Sequence, residues 1–515
     1  MKKTYLYILT LLTAAALDLA AGIFQTATAQ PSRTLQEQLE TLAADPVLSQ
    51  AAFGICVRTG DGRTLAEMNS AKMLVPASNM KLISTGTALY TLGPDYRFRT
   101  WIGHDGEIID GVLYGNLYIT GGGDPTLGSK DSIAVAVGKT FGEWEKLVRD
   151  AGIRHIKGHV VGDGSRFEGM AEEPTWLWND IGTYYGAGAT GLMFYENMQS
   201  FSVSAGAEVG ADVNISPSYP LTPWMEFRYS CTTGRKGTGD QLYMYTSDLA
   251  PVAEIRGTFA VDRAAKRLDC ANKFPEYTCA WYFTDWLRSH GIECDGGAAD
   301  YRLNTEWITE SGGATDINML GYTASPSLER IVFETNHASN NLYAETLLRA
   351  LGKELHESAC YDSSYVAVSD AFKALGVDTS RGLHLQDGSG LSRQNYVSPD
   401  FFCRFLRAMM SADCYGSYLR SLPSPGGNGT LLYNMKSQPE TLKNRIKAKS
   451  GSMNGVRCYS GYILPAGHKP ADCLTEDMKA RTVVFSIMVN NCTAPTWKLR
   501  PLLDRMMATI ADYGN

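Results

Sequence analysis

"PASNMKLIST", residues 76–85, is the stretch on which the reading of this chain turns. Ser78 and Lys81 stand three residues apart, behind a proline and at the head of an apolar run. On a helix, positions i and i+3 share a face, so the hydroxyl and the amine can meet. An ordinary helix start gives the same string, because Ser, Pro and Asn favour first turns. A chain of this size holds roughly one or two S-x-x-K strings by chance. The rest of the sequence has to decide between a helix start and a nucleophile beside its base.

Outward from Ser78, residues 82–92 read as a helix that Gly93 stops. Before it, "AAFGICVRTGDGRTLAEMN" (51–69) reads as a β-hairpin around Gly60–Asp61–Gly62, and residues 33–50 as an amphipathic helix. At the far end, "GVRCYSGYILP" (455–465) and "RTVVFSIMVNN" (481–491) read as strands, and a last helix opens at Pro495. Each end thus offers a helix and two strands. Together they predict one antiparallel sheet flanked by the two terminal helices. Residues 96–304 differ, being rich in Gly, aromatic and β-branched residues in short runs. They predict strands and turns, with a helix near Thr140–Ala151. Helical periodicity returns after Ser325, and residues 327–355 read as helical segments with a junction near Ser339.

The 515 residues leave room for two to four domains, and 44 % hydrophobic with 20 % charged residues is a globular composition. Net charge is −7, and no basic run interleaved with aromatics points to nucleic acid. Lys2 and Lys3 precede an apolar run, Tyr5 to Leu17, and small residues stand at Ala27 and Ala29. Asp18 breaks the run short of the ~20 residues that span a bilayer. This predicts a cleaved signal peptide over 1–29 and an exported mature chain without an integral membrane segment. The 11 cysteines read as structural, with pairing open; their odd number leaves a free thiol or an intermolecular bond. No Cys/His spacing suggests zinc, so neither metal nor cofactor is implied.

A serine hydroxyl near neutral pH needs a base, and a lysine serves only if burial or neighbouring positive charge lowers its pKa. The chain supplies a second lysine and polar partners. "ASNNLY" holds Ser339–Asn340–Asn341, and "IKAKSGSMNG" holds Lys449–Ser450–Gly451 ahead of a strand. Ser78–Lys81 is the one S-x-x-K in the sequence, and residues 449–451 are the one K-[S/T]-G.

The order S-x-x-K, S-x-N, K-[S/T]-G resembles the motif set of penicillin-binding proteins and serine β-lactamases. Four further stretches narrow the resemblance: "GGGDPTL" (121–127), "WND" (178–180), "DGSGLSR" (387–393) and "GGNGTL" (426–431). Over its whole mature length the chain resembles the class C, low-molecular-mass penicillin-binding proteins. These are the penicillin-binding protein 4-like serine D-alanyl-D-alanine carboxypeptidases/endopeptidases. Ser450 stands where that family commonly has Thr.

The resemblance implies an α/β (α+β) fold: a transpeptidase/β-lactamase-like domain, its antiparallel sheet flanked by helices, split by a β-rich insertion. The implied parts are residues 30–95 and 305–515 for that domain and 96–304 for the insertion. It implies Ser78 as nucleophile, Lys81 as its base, and Ser339 as proton relay to the leaving amine. Asn341 would bond the substrate amide or Lys81, while Lys449 and Ser450, with Gly451, would hold a terminal carboxylate. The N–H groups of Ser78 and of the strand near Ser452 would form the oxyanion hole. Arg393 and Asp180 would read the stem peptide's third side chain. Peptidoglycan muropeptides and β-lactam antibiotics are the implied partners, and the periplasm the implied location. Ser78 and Ser339 are 261 residues apart, too far for an uninterrupted β-lactamase core. A β-lactamase or esterase of the same fold, or a non-catalytic peptidoglycan-binding protein, are the alternatives. Asp124 and Pro125 read as a turn that caps a helix, and His337 as structural.

Overall fold

The computed structural model describes residues 33–305, 316–467 and 475–513. The expected signal peptide at 1–29 lies outside the described residues. Five strands form the central sheet: β1 (Ala52–Thr59), β2 (Thr64–Met68), β3 (Ile446–Met453), β4 (Val456–Ile463) and β5 (Val483–Asn490). Their order is β2-β1-β5-β4-β3, antiparallel throughout. The helices around it are α1 (Leu35–Ala43), α2 (Lys81–Leu92), α3 (Leu328–Ala338), α4 (Asn341–His356), α5 (Tyr361–Ala374), α6 (Pro399–Met409) and α7 (Thr496–Tyr513).

Side chains alternate across a strand, and β5 uses both faces. Val483, Phe485, Ile487 and Val489 pack with Leu35 and Leu39 of α1 and with Leu503 and Met506 of α7. Val484 and Met488 face the other way, into a core shared with α2 to α6, including Ile83, Leu347 and Phe405. Covered on both sides, β5 is buried at every residue. Each large apolar side chain so buried contributes about 1.5–3 kcal/mol. Thr34 starts α1 with a reciprocal capping box to Glu37. Gly93, at φ +81°, ends α2.

Three details differ from the sequence reading. The third motif lies on a strand, β3, rather than ahead of one. Asp124 does make a turn, accepting from the N–H of Thr126 at 2.8 Å, but the next helix opens only at Val137. The middle of the chain also contains a 15-residue helix, Pro275–Ser289, whose Cys, Thr and aromatic content does not favour one. Tertiary packing overrides that preference, because Phe283 and Leu287 enter a core with Trp144 and Phe141 of helix Val137–Asp150.

The middle region carries a five-stranded sheet in the order 297–300, 159–163, 117–121, 99–104, 318–324, and two three-stranded sheets. One of the latter joins Glu226–Gly234, Ala250–Ala260 and Tyr243–Ser247. The ten cysteines among the described residues are all free thiols, and nine are buried.

Candidate active site

Ser78 sits on a single 3₁₀ turn, Ala77–Met80, that leads into α2. The turn is jammed against two neighbours. A Cβ at Gly451 on β3 would lie 2.4 Å from the Pro76 carbonyl oxygen, so only glycine lets the edge strand come this close. A Cβ at Gly390 would lie 1.9 Å from the Ala77 carbonyl oxygen, and Ala77 itself holds φ +46°. The Asn79 amide donates to Ser460 Oγ on β4 at 2.7 Å, which ties the turn to the sheet.

Lys81 lies beneath Ser78, fully buried. Its Nζ contacts Asn341 Oδ1 at 2.6 Å, the Ser389 carbonyl at 2.7 Å and Ser78 Oγ at 3.1 Å. Burial pushes this amine down to about 7, against the pull of the Asp387 and Glu345 carboxyls. A neutral amine has two hydrogens and one lone pair. The Asn341 and Ser389 oxygens can only accept, so they take the two hydrogens. Of the three partners, Ser78 alone has a proton to give, and it faces the lone pair.

The second motif stands where α3 ends. Ser339 caps that helix in the left-handed conformation, φ +60°, and its Oγ accepts from Lys449 Nζ at 2.9 Å. Asn340 caps α4 by accepting from the Tyr343 N–H. Asn341, the first residue of α4, uses both ends of its amide. Its oxygen holds Lys81, and its nitrogen donates to the Tyr185 carbonyl at 2.9 Å. Lys449 is fully buried on β3, and burial together with the Lys81 charge holds its amine well below the usual lysine value. Ser450 Oγ donates to Thr430 Oγ1 at 2.9 Å, in the "GGNGTL" stretch.

These groups open into a cleft of about 650 Å³, floored by Ser78 and Ser339 and walled by Leu177, Tyr184, Tyr243 and Met453. Asp180 and Arg393 line the same cleft. Asp180 is half-buried and accepts from the Tyr185 hydroxyl at 3.1 Å; burial raises its carboxyl, opposed by that bond and by Arg393. Arg393 is exposed and reaches the Asn454 carbonyl at 3.5 Å. The structure thus brings all nine sequence-chosen residues to one place. His337 is apart in character, stacked on Phe333 at 4.0 Å and kept neutral by burial and by Lys447, its ring lowered to about 4.

Sequence reasoning missed a buried carboxyl pair behind Lys81. Glu345 accepts from the N–H groups of Gly388 and Ser389 at 3.1 and 2.7 Å, which aims the Ser389 carbonyl at Lys81. Asp387 accepts from the Gly390 and Ser392 N–H groups, the Asn395 amide and the Trp176 indole. Burial raises both carboxyls, Glu345 to about 8. With four donors aimed at it, Asp387 is the member that keeps its charge.

A family model, the D-Ala-D-Ala carboxypeptidase 3 (S13) family, matches residues 35–509. The chain belongs to this family. As a member it is a serine-type D-Ala-D-Ala carboxypeptidase of the penicillin-binding protein 4 kind. A D-alanyl-D-alanine carboxypeptidase of Actinomadura sp. (strain R39) is 29 % identical over 448 residues, 83 % of this chain and 78 % of the relative. The D-alanyl-D-alanine carboxypeptidase DacB of Haemophilus influenzae is 23 % identical over 436 residues, 81 % of this chain and 83 % of the relative. The crystal structure of penicillin binding protein 4 (dacB) from Haemophilus influenzae shares the fold. It superposes with a TM-score of 0.75 at 21 % identity, covering 92 % of this chain and 98 % of that one.

Proposed function

We propose that this S13 carboxypeptidase acts on peptidoglycan stem peptides ending in D-Ala-D-Ala, and on cross-links between them, through an acyl-enzyme on Ser78. The observation that carries this is the Lys81 amine, whose lone pair faces Ser78 Oγ once its other two partners have taken its hydrogens. Ser78 Oγ attacks the carbonyl carbon between the two D-alanines while its proton passes to Lys81. The Ser78 N–H and one from β3 near Ser452 stabilise the oxyanion. The C–N bond then breaks, and the proton that Lys81 took from Ser78 reaches the leaving amine through Ser339, which Lys449 holds in place. Lys449 and Ser450 hold the terminal carboxylate, and Gly451 keeps the strand close. Water attacks the ester, returns the acyl group as a carboxylate and restores Ser78. A β-lactam acylates the same serine and stays.

Asp180 and Arg393 offer one anion and one cation to the third side chain of the stem peptide. A diaminopimelate side chain has an amine and a carboxylate to match them; a lysine side chain has the amine alone. We place the protein in the periplasm, on the charge and hydropathy of residues 1–29; among the described residues no helix is long and apolar enough to cross a membrane. We divide the mature chain into a transpeptidase-like domain from both ends and an inserted middle, the latter carried to about residue 324 because strand Asn318–Ala324 pairs with Arg99–His104. Labelled penicillin followed by peptide mass mapping tests the nucleophile. The label is expected on Ser78 and absent from Ser78→Ala; labelling of that variant at the wild-type rate removes Ser78 from the mechanism. Digestion of purified muropeptides, with mass analysis of the products, tests the substrate.

A further inference from the structure

The short helix Trp178–Ile181, with Leu177 just before it, divides its side chains between two depressions. Leu177, Asn179 and Asp180 line the catalytic cleft. Trp178 points the other way and is 58 % exposed, an unusual place for the largest apolar side chain unless something covers it. It lines a groove of about 470 Å³ with Tyr245, Arg228, Glu254 and Arg256. That volume is within the range of small-ligand sites.

The groove is built from the outward face of the three-stranded sheet described above. Tyr245 pairs with Glu254, and Glu254 with Arg228, so the three form one row across the strands. The Trp178 and Tyr245 rings lie 6.4 Å apart, tilted by 32°, and the Arg256 guanidinium lies 5.6 Å from the Tyr245 ring. The helix is pinned to strand Tyr243–Ser247, since a Cβ at Gly182 would lie 1.8 Å from the Met244 carbonyl oxygen. Tyr243, two residues before Tyr245 on that strand, lines the catalytic cleft. One strand and one turn therefore run unbroken from the cleft into the groove.

We infer that this groove holds the sugar of the peptidoglycan substrate, the N-acetylated disaccharide to which the stem peptide is joined. The inference rests on the function proposed above. Aromatic faces flanked by planar charged groups suit a pyranose, whose C–H face is apolar and whose rim carries hydroxyl and N-acetyl groups. Trp178 and Asp180 stand on one helical turn, the first lining the groove and the second the cleft, so a stem peptide whose third residue lies beside Asp180 can lead its sugar toward the groove. A free peptide fills the cleft alone; a sugar-linked one fills cleft and groove.

The test compares D-alanine release from a synthetic stem pentapeptide with release from the same pentapeptide carried on N-acetylglucosaminyl-N-acetylmuramic acid. The wild type is expected to favour the sugar-linked substrate about fivefold to tenfold, through KM, the size that one or two aromatic contacts supply. Trp178→Ala and, separately, Tyr245→Ala are expected to erase most of that preference. Both variants keep turnover of the free pentapeptide and the rate of penicillin acylation. Equal kcat/KM for the two substrates in wild type overturns the inference and leaves the proposed function standing. Equal losses on both substrates in the variants also overturn it, since the aromatics then serve the peptide cleft or the fold. Failure of the wild type to cleave either substrate overturns the function and the inference together.

Discussion

In the proposed mechanism, acylation of Ser78 requires Lys81 without its proton, and that requirement has a numerical consequence. An amine at the ordinary lysine value of 10.5 is neutral in only about one molecule in 3,000 at pH 7; one lowered to about 7 is neutral in half of them. Burial of Lys81 thus multiplies the reactive population by about a thousand. The sign follows directly: raising pH removes the proton, so activity rises with pH. Stopped-flow measurement of the acylation step at saturating labelled penicillin should show about a tenfold rise per pH unit well below pH 7 and a plateau above about pH 8. The carboxyl pair sharpens the test. Asp387 is the charged member and pulls the Lys81 value up, so Asp387→Asn should move the midpoint to lower pH. Glu345, raised to about 8, is mostly protonated at pH 7. Glu345→Gln should move the midpoint the same way but by less, since Glu345 also pulls the Lys81 value up, and should slow acylation because the Gly388 and Ser389 N–H groups lose one of their two carboxylate acceptors. A rate that keeps climbing tenfold per unit through pH 9, or one flat from pH 5 to 9, refutes Lys81 as the base.

Lys449→Ala should cut acylation efficiency at least about tenfold, since a substrate carboxylate draws a proton onto its lowered amine and the charge-assisted bonds so formed contribute roughly 1.5–3 kcal/mol. A substrate amidated at its C-terminus should show little further loss in that variant, and equal loss in both proteins would place the carboxylate elsewhere. Arg393→Ala should weaken a preference for diaminopimelate over lysine stems and leave penicillin acylation nearly unchanged; kcat/KM for two peptides differing at the third residue measures it. Gly390→Ala, which meets the Ala77 carbonyl and a φ of +83°, should lower stability by about 1–3 kcal/mol and displace Ser78. Thermal melting and penicillin labelling read the two effects, and wild-type labelling would show that the 387–393 loop does not position the nucleophile.

The groups proposed as catalytic were legible because such chemistry fixes residue types at fixed spacings: a hydroxyl one helical turn from an amine, a second amine followed by a hydroxyl and a glycine. The sheet was legible in β5, whose apolar run over 483–489 is interrupted by Ser486 alone. The edge strand was not, because "IKAKSGSM" lacks the alternation of a half-buried strand. Its Lys449 is fully buried, and Gly451 faces the carbonyl of Pro76, which lies 375 positions earlier in the chain. Glu345 and Asp387 carried no local signal either. Glu345 occupies an unremarkable helical position and becomes functional only because the 387–392 loop presents N–H groups to it. Helix Pro275–Ser289 was hidden by its own composition, since its aromatics answer to a core assembled from sequence far to either side.

The pairing of β1 with β5 also sets a clock. Thr59 is opposite Val483, with 424 residues between their places in the chain. At ordinary synthesis rates of 5–20 residues per second, about 20–85 s pass between the appearance of one and the other. Through that interval β1 has only β2 to pair with, and an isolated hairpin is marginal in water. For most of it Asn341 and Ser389, which hold the Lys81 amine against Ser78, have not been made either. The middle sheets, closed by nearer contacts, can fold first and keep the two ends within reach. Activity therefore comes as the final event of folding, all at once.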